Sequence, residues 1–258
     1  MPRDARMHAD RLRAESFGGV ADQYDQFRPS YPEALVDDLV ALTPTAVLDI
    51  GCGTGKAARL LADRGLHVLG VEVDTQMAGV ARRNGLEVEV ASFETWQPHD
   101  RHFDLITCAQ AWHWVDPAVA MPKAAALLRP GGTLALFWNY GDLDESTQAT
   151  LDDVYRCYAP ELLRSVVIGG TKQTDRPHVD DLEGSGLFAS VQTRTYRWER
   201  AYSGQEWVGL VGTHSDHLRL DPARRSALLA ALRASIAALG GTIASHYGTY
   251  LALARVAP

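Results

Sequence analysis

An α/β fold with a parallel sheet and one small-molecule site at its carboxyl edge is what these 258 residues predict, on three observations. The first is the run Val47-Leu48-Asp49-Ile50-Gly51-Cys52-Gly53-Thr54-Gly55: apolar residues, a carboxylate, then glycines at alternate positions ahead of a helical pattern. Val47, Leu48 and Ile50 read as a strand buried on both faces, and the glycines permit a sharp turn and close backbone approach to a ligand. The second is Glu72, ending the strand pattern His67 to Val71. It lies about twenty residues past the first glycine, where a nucleotide fold sets a carboxylate against the ribose hydroxyls. The third is the alternation of short strand patterns with capped helical ones, which requires crossover helices on a parallel sheet.

The glycine spacing separates candidate ligands. A dinucleotide fold wants G-x-G-x-x-G, with a pyrophosphate on the helix N-terminus. Here Lys56 stands at the third glycine place and Gly55 comes one residue early. Asp49 would repel a phosphate but suits an ammonium group such as that of an amino acid moiety. On these residues the stretch resembles motif I of the class I S-adenosylmethionine-dependent methyltransferases.

That resemblance implies a Rossmann-like, mostly parallel seven-stranded sheet with helices on both faces and an antiparallel last strand. It implies S-adenosylmethionine as cofactor and S-adenosylhomocysteine as product, held by Asp49, Gly51, Cys52, Gly53, Gly55, Glu72 and Val73. Two rival classes stay open at this stage: a nicotinamide-dinucleotide oxidoreductase, and a non-catalytic S-adenosylmethionine-binding module.

A hydrophobic share of 46%, a charged share of 22% and a net charge of -7 describe an ordinary globule with an acidic surface. This disfavours nucleic acid as partner and favours a small-molecule acceptor. Cys52, Cys108 and Cys157 lie far apart without a C-x-x-C pair, against a disulfide framework or structural zinc. No apolar run reaches bilayer length and residues 1–16 hold no apolar leader, so the expectation is a soluble cytoplasmic protein with a flexible start and no membrane partner. Residues 17–258 read as a single domain: lid and helix over 17–44, a cofactor-binding half over 45–138, and an acceptor-covering half over 139–258.

Phe17 to Tyr31 mixes aromatics, an arginine and helix breakers. It reads either as a packed arm or as a lid in which Tyr24, Arg28 and Tyr31 close over the cofactor, Arg28 meeting a carboxylate and the rings facing a sulfonium. In the family it resembles, an arm of the form Phe…Tyr…Arg-Pro-x-Tyr-Pro covers the site. Pro32 to Leu42 forms an amphipathic helix with Leu35, Leu39 and Leu42 on one side. A helix from Gly55 to Arg64 follows the glycine turn. Asp74 or Thr75 caps the next, to Arg83, and Leu86 to Ala91 alternates as a third strand.

Ser92-Phe93-Glu94 follows that strand, and the resemblance implies that Phe93 and Glu94 lie along the adenine. Phe103 to Cys108 is the fourth strand. After it, Gln110-Ala111-Trp112-His113-Trp114 falls where ligands of open α/β sheets bind. Trp112 and Trp114 are expected to wall a pocket, Gln110 to touch the cofactor, and His113 to act as a general base or orient the acceptor, since its pKa lies near working pH. The competing reading leaves the tryptophans in the core and the histidine bonded locally.

Asp116-Pro117 opens a helix to Leu128 that Pro122 should kink or delay. Leu128-Arg129-Pro130-Gly131-Gly132, another point of resemblance, turns into a strand over Thr133 to Trp138. A helix over Asp144 to Tyr158, an irregular span through Gly169-Gly170 and a strand over Ser190 to Glu199 follow. His214-Ser215-Asp216-His217 could be mistaken for a metal cluster, but acceptor contact by His214 is favoured over zinc. Asp221-Pro222 caps a helix with Leu228, Leu229, Leu232, Ile236 and Leu239 on one face, and Tyr247 to Val256 is the last strand.

Overall fold

The computed structural model describes residues 15–162 and 178–258. The expected tail, residues 1–16, lies outside them apart from the backbone of Glu15 and Ser16, and so does the Gly169-Gly170 span. Seven strands form one sheet: β1 (Ala46–Ile50), β2 (His67–Glu72), β3 (Glu87–Val90), β4 (Phe103–Ala109), β5 (Leu128–Leu143), β6 (Ser190–Ser203) and β7 (Thr242–Arg255). Their order is β3-β2-β1-β4-β5-β7-β6. The strands β1 to β5 pair in parallel, and β7 runs antiparallel between β5 and β6. Strand order reverses at β1, so the turns after β1 and β4 open into one crevice at the carboxyl edge.

The helices are α1 (Ala21–Phe27), α2 (Glu33–Val40), α3 (Lys56–Ala62), α4 (Thr75–Arg83), α5 (Pro117–Leu127), α6 (Glu145–Tyr158), α7 (Val179–Gly184), α8 (Gly204–Gly212), α9 (Ser215–Leu218) and α10 (Pro222–Ala238). Side chains start several of them. Asp74 accepts from the Gln76 and Met77 amides, Asp116 from Ala118 with Pro117 behind it, and Ser203 and Glu206 close a capping box. Each satisfies amides that a helix start leaves open.

Three apolar clusters hold the layers together. Leu48, Ile50, Ile106, Leu134 and Trp138 pack on one face of the sheet, while Val47, Leu105, Phe137 and Leu251 pack on the other against α2 and α3. The third joins Leu151, Tyr155, Tyr202, Trp207, Leu228 and Ile236, which makes α6, α8 and α10 a cap above the far end of β6. At the opposite edge, Asp104 accepts from the Thr45 amide at 2.8 Å and hydroxyl at 2.6 Å and from Arg129 at 2.9 Å. The carboxylate thereby ties β4 to the start of β1.

Several sequence expectations need correction. The second helix stops at Val40, leaving Leu42 exposed, and Leu239 is likewise outside the apolar face of α10. α5 begins at Pro117 and continues through Pro122, giving up one internal hydrogen bond without a late start. β5, β6 and β7 are all longer than their apolar runs, because their ladders continue through polar residues to Leu143↔Ser245 and Ser203↔Thr242. Cross-strand backbone pairing, not alternation of side chains, sets those ends.

Candidate active site

After Ile50 the chain turns through Gly51 at φ +62°, where a Cβ would stand 2.7 Å from the Ala111 methyl. Both the conformation and the space demand glycine. The Gly53 amide donates to Glu72 Oε2 at 2.8 Å and the Asp74 amide to Oε1 at 2.9 Å. One backbone amide thus braces each oxygen, and each keeps a lone pair for a ligand. Burial raises the Glu72 pKa while these amides oppose the rise.

Asp49 is 1% exposed. Its Oδ1 accepts from the Thr107 hydroxyl at 2.7 Å, whereas Oδ2 is buried without a hydrogen-bond partner among the described residues. Burial pushes the carboxyl up to about 7, with Thr107 opposing. Such an oxygen is costly until a donor or cation reaches it. Cys52, by contrast, turns its thiol into the core, so only its backbone faces the crevice side of the turn.

The wall comes from the end of β4. Gln110 is held at φ +57°, its amide donating to Phe137 O at 2.9 Å and its side chain to Asn139 O at 3.2 Å. A non-glycine residue kept in this conformation costs energy that the surrounding structure must offset. Trp112–Trp114 forms a 3-10 turn. Trp112 is 1% exposed and packs in the sheet core, which corrects its expected place in a pocket wall. His113 and Trp114 are half-buried neighbours with ring centroids 4.9 Å apart.

On the adenine-side loop, Phe93 is a core residue beside Trp96, and Glu94 Oε1 accepts from the Asp116 amide at 3.0 Å. The Phe93 ring is therefore a plug, and its backbone is what the loop can offer. Lys123 fixes this loop from below, donating to Phe93 O at 2.7 Å, Glu94 O at 3.3 Å and Trp96 O.

The arm closes over these elements. Phe17 meets Tyr24 at 5.8 Å and Trp114 at 6.3 Å, both edge to face. Tyr31 sits edge-on to Phe137 at 4.8 Å, and its hydroxyl pKa is raised by burial and then by Tyr24 and Asp49. Arg28 lies 5.0 Å from the Tyr24 ring and donates from Nε to Thr213 Oγ1 at 2.9 Å and from Nη2 to Thr213 O at 3.0 Å. The arm is thus anchored to the end of α8.

His214 follows Thr213, with Nε2 buried and unpartnered among the described residues. Burial, then Arg28 and His217, hold its pKa well below the ordinary value, so the ring is neutral. His214, Asp216 and His217 bring ligand atoms within 4.8 Å of one another, the proximity a metal would need. However, His217 commits Nδ1 to Asp216 Oδ1 at 2.9 Å and Nε2 to the Tyr155 hydroxyl at 2.8 Å. The group is a hydrogen-bond chain joining α9 to α6.

Sequence reasoning overlooked Thr107, Asn139, Thr213 and Lys123. Asn139 is buried, donates to Ser30 O at 2.9 Å and accepts from Thr249 at 2.7 Å, joining arm, β5 and β7. A lone amide ending the apolar run Leu134 to Trp138 was the available signal.

Residues 48–136 match the protein family described as a methyltransferase domain. An uncharacterized methyltransferase of Mycobacterium tuberculosis strain H37Rv is 44% identical over 130 residues, 49% of this chain and 53% of that protein. A ubiquinone biosynthesis O-methyltransferase of Aromatoleum aromaticum is 34% identical over 143 residues, 49% of this chain and 61% of that protein. The chain spans about half the length of the curated relatives it matches. A solved structure from Anaeromyxobacter dehalogenans, described as a 'Putative Type II Methyltransferase', superposes with a TM-score of 0.63 at 25% identity, covering 90% of this chain and 99% of that one. Over residues 48–136 the chain is thus similar to methyltransferase domains, and its whole sheet shares the fold of a solved methyltransferase structure.

Proposed function

We propose that the protein transfers a methyl group from S-adenosylmethionine to an oxygen, carboxylate or hydroxyl, of a small molecule in the cytoplasm. The observation that carries the reading is the buried, unpartnered Asp49 Oδ2 beside a glycine turn whose other carboxylate, Glu72, is braced by backbone amides. This donor set fits the cofactor: Asp49 suits its ammonium group, and Glu72 with the Val73 backbone suits the ribose hydroxyls. Gly51, Gly53 and Gly55 give the close backbone approach, while the Phe93 backbone and Glu94 border the adenine. Gln110 and Tyr24 complete the enclosure, and Arg28 takes the amino acid carboxylate.

When bound, the cofactor supplies a methyl group on a sulfonium, an electrophile that needs no acid assistance. The chain's own task is to hold an acceptor oxygen in line, exclude water and, for a hydroxyl, remove its proton. His113 is the residue assigned to that proton, and for a carboxylate acceptor it orients the group instead. Tyr31, Trp114 and His214 line the acceptor side. The O-methyl choice is supported by the Aromatoleum relative, which is named as an O-methyltransferase.

Incubating the protein with radiolabelled S-adenosylmethionine and a fractionated extract tests the reading. Label should enter small organic compounds, and release by mild base separates esters from ethers. Label confined to protein or nucleic acid, or absence of cofactor binding, overturns it.

A further inference from the structure

Asn139 follows the apolar run of β5 and stands in the middle of a hydrogen-bond chain that crosses the sheet. On the edge strand β6, Trp198 donates from Nε1 to Thr249 Oγ1 of β7 at 2.8 Å. Thr249 donates from Oγ1 to Asn139 Oδ1 at 2.7 Å, and Asn139 donates from Nδ2 to Ser30 O of the arm at 2.9 Å. Asn139 is 1% exposed and Thr249 0%, so protein covers both on every side.

The direction of this chain is fixed at both ends. An indole N–H can only donate, and a backbone carbonyl can only accept. Thr249 therefore takes the Trp198 proton and keeps its own for Asn139. The Asn139 amide must then turn its oxygen to Thr249 and its nitrogen to the arm. A flipped amide would set Oδ1 against Ser30 O, two buried acceptors with no proton between them. A tryptophan on the edge strand thus decides which end of the amide meets the arm.

What Asn139 holds is the stiffest part of that arm. Ser30 lies in Arg28-Pro29-Ser30-Tyr31-Pro32. Each proline fixes its own φ and restricts the residue before it, and Pro29 is itself buried. Pinning the carbonyl between the two prolines therefore places both neighbours. On one side the Arg28 guanidinium reaches Thr213, and on the other Tyr31 sits edge-on to Phe137 at 4.8 Å. The Asn139 carbonyl also accepts from Gln110 Nε2 at 3.2 Å, so one residue fastens both the arm and the wall after β4.

We propose that Asn139, oriented by Thr249 and Trp198, is the positioning residue that latches the arm over the crevice, and that the latch sets how long a bound cofactor is retained. The retention role rests on the methyltransferase reading above, whereas the latch stands without it. A ligand beneath the arm leaves only while the arm is lifted, so its dissociation rate follows the lifted fraction. Removing one buried hydrogen bond from the closed state multiplies that fraction about tenfold.

Hydrogen exchange of the ligand-free whole protein, followed by mass spectrometry, reads the latch, and stopped-flow displacement of S-adenosylhomocysteine reads retention. Asn139→Ala should speed exchange over residues 21–31 and S-adenosylhomocysteine dissociation by about tenfold each, with exchange in β1 and β4 unchanged. Thr249→Val keeps the shape of a side chain that touches neither arm nor ligand, yet it should move both quantities in the same direction by about threefold. Thr249→Ser keeps the hydroxyl and should stay within about twofold of the parent. A merely structural Thr249 would change the melting temperature and leave the dissociation rate alone. Should Asn139→Ala fail to fold, the Thr249 pair carries the test.

Arm exchange unchanged by these substitutions, or raised equally in arm and central sheet, overturns the latch, and so does Thr249→Ser behaving like Thr249→Val. Faster arm exchange with unchanged S-adenosylhomocysteine dissociation overturns the retention role. A parent that binds no S-adenosylhomocysteine overturns the methyltransferase reading instead, and the exchange comparison still decides the latch.

Discussion

Asp49 and Glu72 are both buried carboxylates, and their surroundings differ. Glu72 is held by an amide on each oxygen, so it is a preset acceptor. Glu72→Ala should weaken S-adenosylmethionine binding by about 1 to 3 kcal/mol, since two hydroxyls lose a charged acceptor; calorimetry showing unchanged affinity would remove the ribose assignment. His113→Ala should lower turnover by about a hundredfold or more with cofactor affinity nearly intact, the pattern of a lost proton acceptor. Equal losses in kcat and affinity would argue against that role. The place of Glu72 at the end of β2 was legible in the sequence because its spacing from Gly51 is a fixed property of a strand-helix-strand unit. The half-satisfied state of Asp49 was not, because Thr107, which takes only its Oδ1, arrives from a strand far along the chain.

The elements around the crevice are positioned by contacts that no local pattern announces. Lys123 on α5 holds three carbonyls of the loop after β3, and burial lowers its pKa while Glu94 opposes. Replacing it with Met frees those carbonyls from a charged donor, so cofactor affinity should drop by about fivefold to twentyfold while turnover at saturating cofactor persists; titration of Lys123→Met with S-adenosylhomocysteine decides this. The arm is seated differently. A Cβ on Gly209 would stand 2.5 Å from the Phe27 ring, so α1 reaches α8 only because residue 209 has no side chain. The central strands, the glycine turn and most helix caps could be read from periodicity and cap residues. The long ends of β5, β6 and β7 could not, because only their partners specify them. Trp112 was misplaced for a related reason: two tryptophans two positions apart look alike in sequence, and only packing sends one into the core.

Across the whole molecule, the pH dependence of stability is a sum of opposing groups. Asp104 is held well below the usual carboxylate range, hydrogen bonds from Thr45 and Arg129 outweighing burial. It stabilises the fold above its unfolded pKa, and that support disappears on strong acidification. His214, whose pKa is lowered, adds stability as pH rises toward its unfolded value near 6.5. Asp49 acts the other way. Its pKa rises from 3.8 unfolded to about 7 folded, so the native state binds the extra proton and stability falls as pH climbs between those values. The overall curve therefore hides each contribution, but a difference between two variants isolates one. Asp49→Asn keeps an oxygen for the Thr107 hydroxyl and removes the titration. Its stability gain should be near zero at pH 4, grow through pH 7 to at most about 4 kcal/mol, and stay level above. Saturating S-adenosylmethionine should reverse the order at pH 8, because the parent then pairs its carboxylate with the ligand's ammonium and the variant cannot. Denaturant titrations at several pH values, with and without ligand, read both effects. A gain independent of pH would mean that Asp49 is already charged at pH 4, and a gain that persists with ligand would detach this carboxylate from the cofactor.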